Sequence, residues 1–268
     1  MYVTLIAAAA LWGAATGLLV PRAAYRLAVE PGEPWRAACP AGHPFTGPAR
    51  GWLGTARCSG CAEVVGAAAS VGNPAGAPDR PPARTAYAHP VRHALVTALA
   101  CALLAAGTGA RPELAVWLVL APFAVLLTVV DRRVHRLPDV LTLPLAAATA
   151  ALLGLAALLP GDGGSWPTAV LGGVALGGGY FLLFLINPNG MGFGDVKLAI
   201  ALGTALAWYG WPVFFAGAFA GFLLGAMYGV GLVILRRAGR KTAIPFGPFM
   251  ITGALAGLLL GGLAASAV

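Results

Sequence analysis

Apolar stretches of about 20 residues, the length that spans a bilayer, recur so often along this 268-residue chain that little of it remains for a water-soluble core. We read eight of them, near residues 3–20, 93–110, 112–130, 139–159, 167–186, 194–208, 212–235 and 247–267. Hydrophobic residues make up 59% of the chain and charged residues 10%, against roughly a quarter charged in an ordinary soluble domain. The expected fold is an all-α polytopic membrane protein with about eight transmembrane helices. Its Ala, Gly and Leu richness suits helices whose backbones approach closely. The sixth stretch is the shortest. Asp195 and Lys197 lie at its start, so it is expected to begin at the membrane surface and to be partly buried in protein.

Orientation follows from the bases. Arg22, Arg26, Arg36, Arg50, Arg57, Arg80, Arg84 and Arg92 lie between the first two stretches, and Arg132, Arg133 and Arg136 between the third and fourth. Lys197 opens the sixth, and Arg236, Arg237, Arg240 and Lys241 separate the last two. With eight spans all of these share one face and Arg111 takes the other, so the first face is expected to be cytoplasmic and both termini external. Trp166, Trp208 and Trp211 cluster at the opposite ends, the expected place for interfacial anchors. The arginines flank spans and lack interleaved aromatics, so the bilayer rather than nucleic acid is the expected partner. The first stretch has no charged n-region and no small-residue cleavage site, and reads as a retained helix.

Three regions are expected: a first helix over 1–20, a cytoplasmic Cys/His insert and linker over 21–92, and a seven-helix core over 93–268. The insert is dominated by Pro, Gly and Arg. It carries Cys39-Pro40-Ala41-Gly42-His43 and Cys58-Ser59-Gly60-Cys61. Each pair is spaced to grip one tetrahedral ion, and together they make a zinc-knuckle-like site. Soft thiolates with one imidazole favour zinc over calcium or magnesium, and a cytoplasmic location argues against disulfides. Residues 64–90 read as a flexible connector, and Cys101 as a small packed residue in a span.

Two aspartates stand out because an ionisable carboxylate at membrane depth is costly and functional by default. Asp131 closes the third stretch, and Asp195 lies in Gly192-Phe193-Gly194-Asp195-Val196-Lys197. Two carboxylates that share a proton divide into a base and an acid, the chemistry of an aspartic protease. Gly192 and Gly194 are expected to permit positive φ and close approach of a substrate strand. Lys197 either tunes the pair or snorkels to the surface, Asp139 starts the fourth helix, and His135 is a solvated loop residue. On the residues alone, an ion-coupled transporter using the same acids stands beside the protease. A scaffold of a secretion apparatus is a third reading.

The ordered motifs resemble the bacterial prepilin peptidases, or type IV leader peptidases, of the GxGD class of intramembrane aspartic proteases. They are Tyr25-Arg26-Leu27, the cysteine insert, Asp131 through Leu137-Pro138-Asp139 to Leu141-Thr142-Leu143-Pro144, Gly190-Met191-Gly192-Phe193-Gly194-Asp195-Val196-Lys197-Leu198, and Ile244-Pro245-Phe246-Gly247-Pro248. The resemblance implies that Asp131 and Asp195 are the catalytic pair. It implies a prepilin or pseudopilin substrate, cut at the cytoplasmic face of the inner membrane just before its hydrophobic helix. Many members of that family also N-methylate the new terminus with S-adenosylmethionine, although no glycine-rich nucleotide-binding turn is visible here. One departure is plain: the family's insert usually carries two Cys-x2-Cys pairs, whereas Cys39 with His43 stands for the first pair here.

Overall fold

The computed structural model describes residues 2–30, 32–63, 89–188, 190–235 and 244–266. Arg80, Arg84, Arg236, Arg237, Arg240, Lys241 and most of the 64–90 connector lie outside them. Among the described residues the architecture is helical, with one isolated bridge between Ala38 and Pro44 inside the insert.

The helices are α1 (Tyr2–Gly17), α2 (Val20–Leu27), α3 (Pro90–Thr108), α4 (Pro112–Val134), α5 (Asp139–Ala156), α6 (Trp166–Ile186), α7 (Phe193–Ala207), α8 (Trp211–Ile234) and α9 (Gly247–Ser266). Proline in the first turn opens α2, α3, α4, α6 and α8, where its missing N–H has no intrahelical partner to lose. The α1–α2 unit (Tyr2–Leu27), α3, α4, α5, α6, α8 and α9 are each long and apolar enough to cross a membrane. The chain is a multi-pass membrane protein.

The eighth expected span is α7, and it is different in kind. Its 15 residues rise only about 22 Å, short of the roughly 30 Å of hydrocarbon in a bilayer. It lies against α5, α6, α8 and α9, and ten of its residues are buried. Its far end is level with the start of α6, because the Ser165 N–H donates to the Trp208 carbonyl at 2.9 Å. The surrounding protein relieves α7 of having to meet lipid, as expected from the sequence.

Small residues set how closely the helices approach. A Cβ on Gly13 would lie 2.6 Å from the Thr97 carbonyl oxygen and 2.9 Å from the Cys101 sulfur. One on Gly17 would lie 2.8 Å from the Ala94 Cα. This G-x-x-x-G face therefore lets α1 rest directly on α3, and Cys101 is the buried packing residue expected. The tryptophans divide. Trp166 and Trp211 are exposed at helix starts, but Trp208 is 1% exposed and sits in the core with its indole N–H unpartnered. Trp208 is not the interfacial anchor expected of it, because the helices packed around α7 enclose it in a cluster with Trp117, Leu153 and Ala169.

Candidate active site

Asp131 stands on the last turn of α4, and the chain leaves that helix at once. His135 adopts the left-handed conformation (φ 49°) and its N–H returns to the Asp131 carbonyl at 2.8 Å. That conformation is uncommon for a residue with a side chain but several-fold enriched in His. His135 is exposed, as a loop residue should be. The next residues lay Leu137 against α7. A Cβ on Gly194 would come within 2.8 Å of the Leu137 Cβ and 3.0 Å of its carbonyl.

Asp195 occupies the first turn of α7. The Gly192 N–H donates to its Oδ2 at 3.2 Å, and its own N–H donates to the Gly192 carbonyl at 3.0 Å. This is a reciprocal cap made by a carboxylate and a backbone. Placement at a helix N-terminus also favours its negative charge. The glycines do not adopt the positive φ that the sequence suggested. Gly192 has φ −72°, and neither it nor Gly194 is in the positive-φ region. Gly194 is needed for its contact with Leu137, where any side chain would push α7 off the α4–α5 loop. Gly192 is exposed, and a Cβ there would meet only the Asp195 carboxylate, at 3.4 Å.

Asp131 and Asp195 are respectively 3% and 8% exposed, and their carboxyl groups interact electrostatically. Asp131 has a third element behind it: the Gly247 N–H, at the start of α9, donates to its Oδ2 at 3.0 Å. Tyr180 of α6 completes the wall on the Asp195 side. It is 3% exposed, interacts with that carboxylate, and has its ring 5.3 Å from Phe222 and 6.3 Å from Phe246. Neither the Gly247 donor nor Tyr180 was identified from the sequence. The Ile244-Pro245-Phe246-Gly247-Pro248 run was the available signal for the first. Lys197 turns away from the pair: its Nζ lies 2.7 Å from Asp139 Oδ1 and 4.7 Å from the Phe193 ring centre. Asp139, 61% exposed in its side chain, starts α5 as expected.

The insert forms a second centre. The Cys39, Cys58 and Cys61 sulfurs and the His43 ring nitrogen lie within 4.8 Å of one another. Cys39 and Cys61 sulfurs are 3.7 Å apart, and His43 Nδ1 is 3.6 Å from the first and 3.3 Å from the second. A zinc tetrahedron with thiolate bonds near 2.3 Å has sulfur–sulfur edges of roughly 3.8 Å, so the donor set fits that ion. Gly42, at φ +87°, closes the Cys39–His43 turn, and Gly60 leaves room for the imidazole, which a Cβ would approach to 2.9 Å. Burial opposes ionisation of Cys39, but the backbone N–H groups at Ala41 and His43 and the His43 and Cys58 side chains outweigh it and bring its thiol down to about 7. Burial, followed by the neighbouring thiols, pushes Cys61 up to about 12.

Two arginines that the sequence explained only as topological charges bind this insert to α2. Arg22 donates to the carbonyls of Thr55 and Thr46, each at 3.1 Å, and of Arg57 at 3.3 Å. Arg26 donates to the carbonyls of Arg36 and Arg50, each at 3.1 Å, and its guanidinium stacks 3.9 Å over Trp52. A planar fork with five donors can satisfy several loop carbonyls at once, which lysine cannot.

Comparison with known proteins places this geometry. The family described as the type IV leader peptidase family matches residues 118–230, a stretch that contains both aspartates. A prepilin leader peptidase/N-methyltransferase of Aeromonas hydrophila is 33% identical over 244 residues, covering 84% of this chain and 72% of the relative. One from Aeromonas salmonicida (strain A449) is 32% identical over 84% of this chain and 72% of the relative. One from Pseudomonas aeruginosa is 34% identical over 62% of this chain and 57% of the relative. No solved structure matches the chain. With both aspartates inside the matched region and most of its length aligned to such relatives, the chain belongs to the type IV leader peptidase family.

Proposed function

We propose that the chain is a membrane aspartic endopeptidase that cleaves the leader of a prepilin or pseudopilin, with Asp131 and Asp195 as its catalytic pair. The observation that carries this is the pairing of two buried carboxylates from separate helices, each held by a backbone N–H, with Asp195 in the first turn of a short helix. One carboxylate takes a proton from water, which attacks the scissile carbonyl. The other, protonated, polarises that carbonyl, and a proton then passes to the leaving amine. Water, peptide and two products balance without a covalent enzyme intermediate. The pair titrates as a unit, so neither residue is assigned a fixed role. Gly192 and Gly247 orient the two carboxylates, and Gly194 sets the position of α7 through Leu137.

The pair lies at the ends of spans where the sequence collects its bases, which supports a site on the cytoplasmic side of the inner membrane. Three parts follow: the first helix (1–20), the insert and linker (21–92) and the peptidase core (93–268). Cys39, His43, Cys58 and Cys61 would hold a structural zinc, crosslinking the insert that Arg22 and Arg26 bind to α2. The relatives' names also include N-methyltransferase, which brings S-adenosylmethionine into the reading as methyl donor for the new terminus. No residue is assigned to that donor. The transporter alternative is less well supported, because both acids stand at one face and are held by backbone donors rather than facing each other across a midplane.

The test is cleavage of a co-expressed prepilin by wild type, Asp131→Asn and Asp195→Asn at matched membrane levels. Loss in both variants is expected. Normal cleavage by either one excludes the two-aspartate mechanism.

A further inference from the structure

Asp131 and Asp195 reach the site on two helices whose backbones stand apart. No Cα of α4 lies within 8 Å of a Cα of α7, and apolar side chains bridge the gap along their length. Asp195 is bonded within its own helix start by Gly192, while Asp131 takes its distant bond from α9. Apolar contacts are non-directional, and they do not by themselves fix how far one helix is slid along another. A hydrogen bond does, because it holds its two heavy atoms to within a few tenths of an ångström.

Such bonds occur at the other end of the same two helices. Glu113 stands in the first turn of α4 and is 0% exposed. The Tyr209 hydroxyl, two residues past α7, donates to its Oε1 at 3.3 Å and accepts from the Trp117 indole N–H at 3.2 Å. Thr108, at the end of α3, bonds to the same hydroxyl. The Gly163 N–H donates to Glu113 Oε2 at 3.4 Å, and two residues later the Ser165 N–H holds the Trp208 carbonyl. A Cβ on Gly163 would fall 2.7 Å from Glu113 Oε1, and one on Gly164 2.4 Å from the Trp208 carbonyl oxygen, so this turn closes over the bond only with glycine. Glu113 makes no ion pair: the one among the described residues joins Lys197 and Asp139. Arg111 turns instead to α9, where it donates to the Gly262 carbonyl and the Ser266 hydroxyl, each at 3.2 Å. A carboxylate enclosed in a membrane bundle with neutral donors alone is costly, and is a functional candidate by default.

Resting on the peptidase reading, we propose that Glu113 and Tyr209 are positioning residues: their bond pins α4 to α7 at the end remote from the carboxylates, so that Asp131 and Asp195 meet in register. Glu113 precedes Asp131 by eighteen positions, about 27 Å of helix, and Tyr209 follows Asp195 by fourteen, about 21 Å. A helix keeps its length over such distances, so a slip at the pin arrives at the carboxylates. Misplacement of a reacting group by about 1 Å costs on the order of 10²-fold in rate. Neither pinning residue reaches the reacting atoms, so its loss falls on kcat and spares KM.

The experiment measures initial-rate cleavage of purified precursor in proteoliposomes, beside the melting temperature of each variant. Tyr209→Phe removes the hydroxyl and keeps the ring; kcat should fall about tenfold or more with KM within about twofold. Glu113→Leu should match it. Glu113→Gln, whose amide oxygen still accepts from Tyr209, should keep kcat within about threefold. Combining Tyr209→Phe with Glu113→Leu should cost no more than about twofold beyond either alone, because both remove one bond. Gly13→Ala, which loosens α1 from α3, controls for stability: it should lower the melting temperature and leave kcat within about twofold. The pin is overturned, with the peptidase left standing, by a Tyr209→Phe kcat within about twofold of wild type. Equal losses in Glu113→Gln and Glu113→Leu overturn it too, as does a fall in kcat for Gly13→Ala as large as for Tyr209→Phe. If Tyr209→Phe does not accumulate in the membrane, the two Glu113 variants decide alone. Failure of wild type to cleave any precursor is a failure of the peptidase reading itself.

Discussion

Gly247→Ala should disable the enzyme without unfolding it. The Gly247 N–H donates to Asp131 Oδ2 at 3.0 Å, while a Cβ built on Gly247 falls 2.9 Å from the same oxygen and 3.4 Å from the carboxyl carbon. A carbon and an oxygen do not rest that close, so the carboxylate must rotate away by several tenths of an ångström. The rotation lengthens and bends the bond from Gly247. A hydrogen bond to a charged group contributes roughly 1.5–3 kcal/mol, which translates to a factor of roughly 10 to 10² in rate if the bond is needed in the transition state. Displacement of a reacting group by about 1 Å costs about 10²-fold by itself. We therefore expect kcat for prepilin cleavage to fall 10- to 100-fold with KM nearly unchanged, since the change is confined to the orientation of one carboxylate. Folding should survive: the atom displaced is the end of a flexible side chain, and Gly247 is not in the positive-φ region where alanine is strained. The assay is initial-rate cleavage of purified precursor in proteoliposomes, with Gly247→Ala, Asp131→Asn and wild type at equal protein. Cleavage by Gly247→Ala within twofold of wild type would refute the claim that this backbone donor positions Asp131.

Other outcomes follow from the same structure. Asp139→Asn removes the partner of Lys197, but that partner is 61% exposed, and such pairs contribute about 0.2–1 kcal/mol; cleavage should stay within about threefold, measured beside Asp131→Asn. Zinc affinity should fall as pH drops, because zinc must displace the Cys61 proton, held up to a thiol pKa of about 12, and below about 7 the Cys39 proton as well. These two thiols alone should cost on the order of 10³ between pH 8 and pH 6, so the loss read by chelator competition should be at least that; a flat profile would exclude thiolate ligation. Gly13→Ile should part α1 from α3, since even a Cβ there meets the Thr97 carbonyl oxygen at 2.6 Å, and should lower the melting temperature while the zinc content of the folded fraction is retained. A melting temperature equal to wild type would mean that the two helices do not touch through this face.

What could be read in advance was carried by local signals. Seven of the eight stretches are long apolar helices, and the eighth, short and charged at its start, proved to be the enclosed α7. Asp139 as a helix start, Cys101 as packing and the meeting of Cys39, His43, Cys58 and Cys61 were legible for the same reason. Helix period, capping preference and ligand spacing act within a few residues. The failures concern residues whose role depends on distant chain. Trp208 has the position and chemistry of an interfacial anchor, yet residues of distant helices enclose it in the core. Gly192 and Gly194 looked like residues chosen for unusual φ, but Gly194 is constrained by Leu137, more than fifty positions earlier.

By itself the sequence determined that this protein lives in a membrane, which stretches are long and apolar enough to cross it and which acids were candidates for chemistry. Each of those depends on transfer from water to hydrocarbon, which is nearly additive along the chain. Tertiary structure alone decided that the Gly247 N–H supports Asp131, that Arg22 and Arg26 hold the insert to α2, and that Gly194 packs on Leu137. Those depend on contacts between segments up to 116 residues apart, and no local preference encodes the angle at which two apolar helices meet.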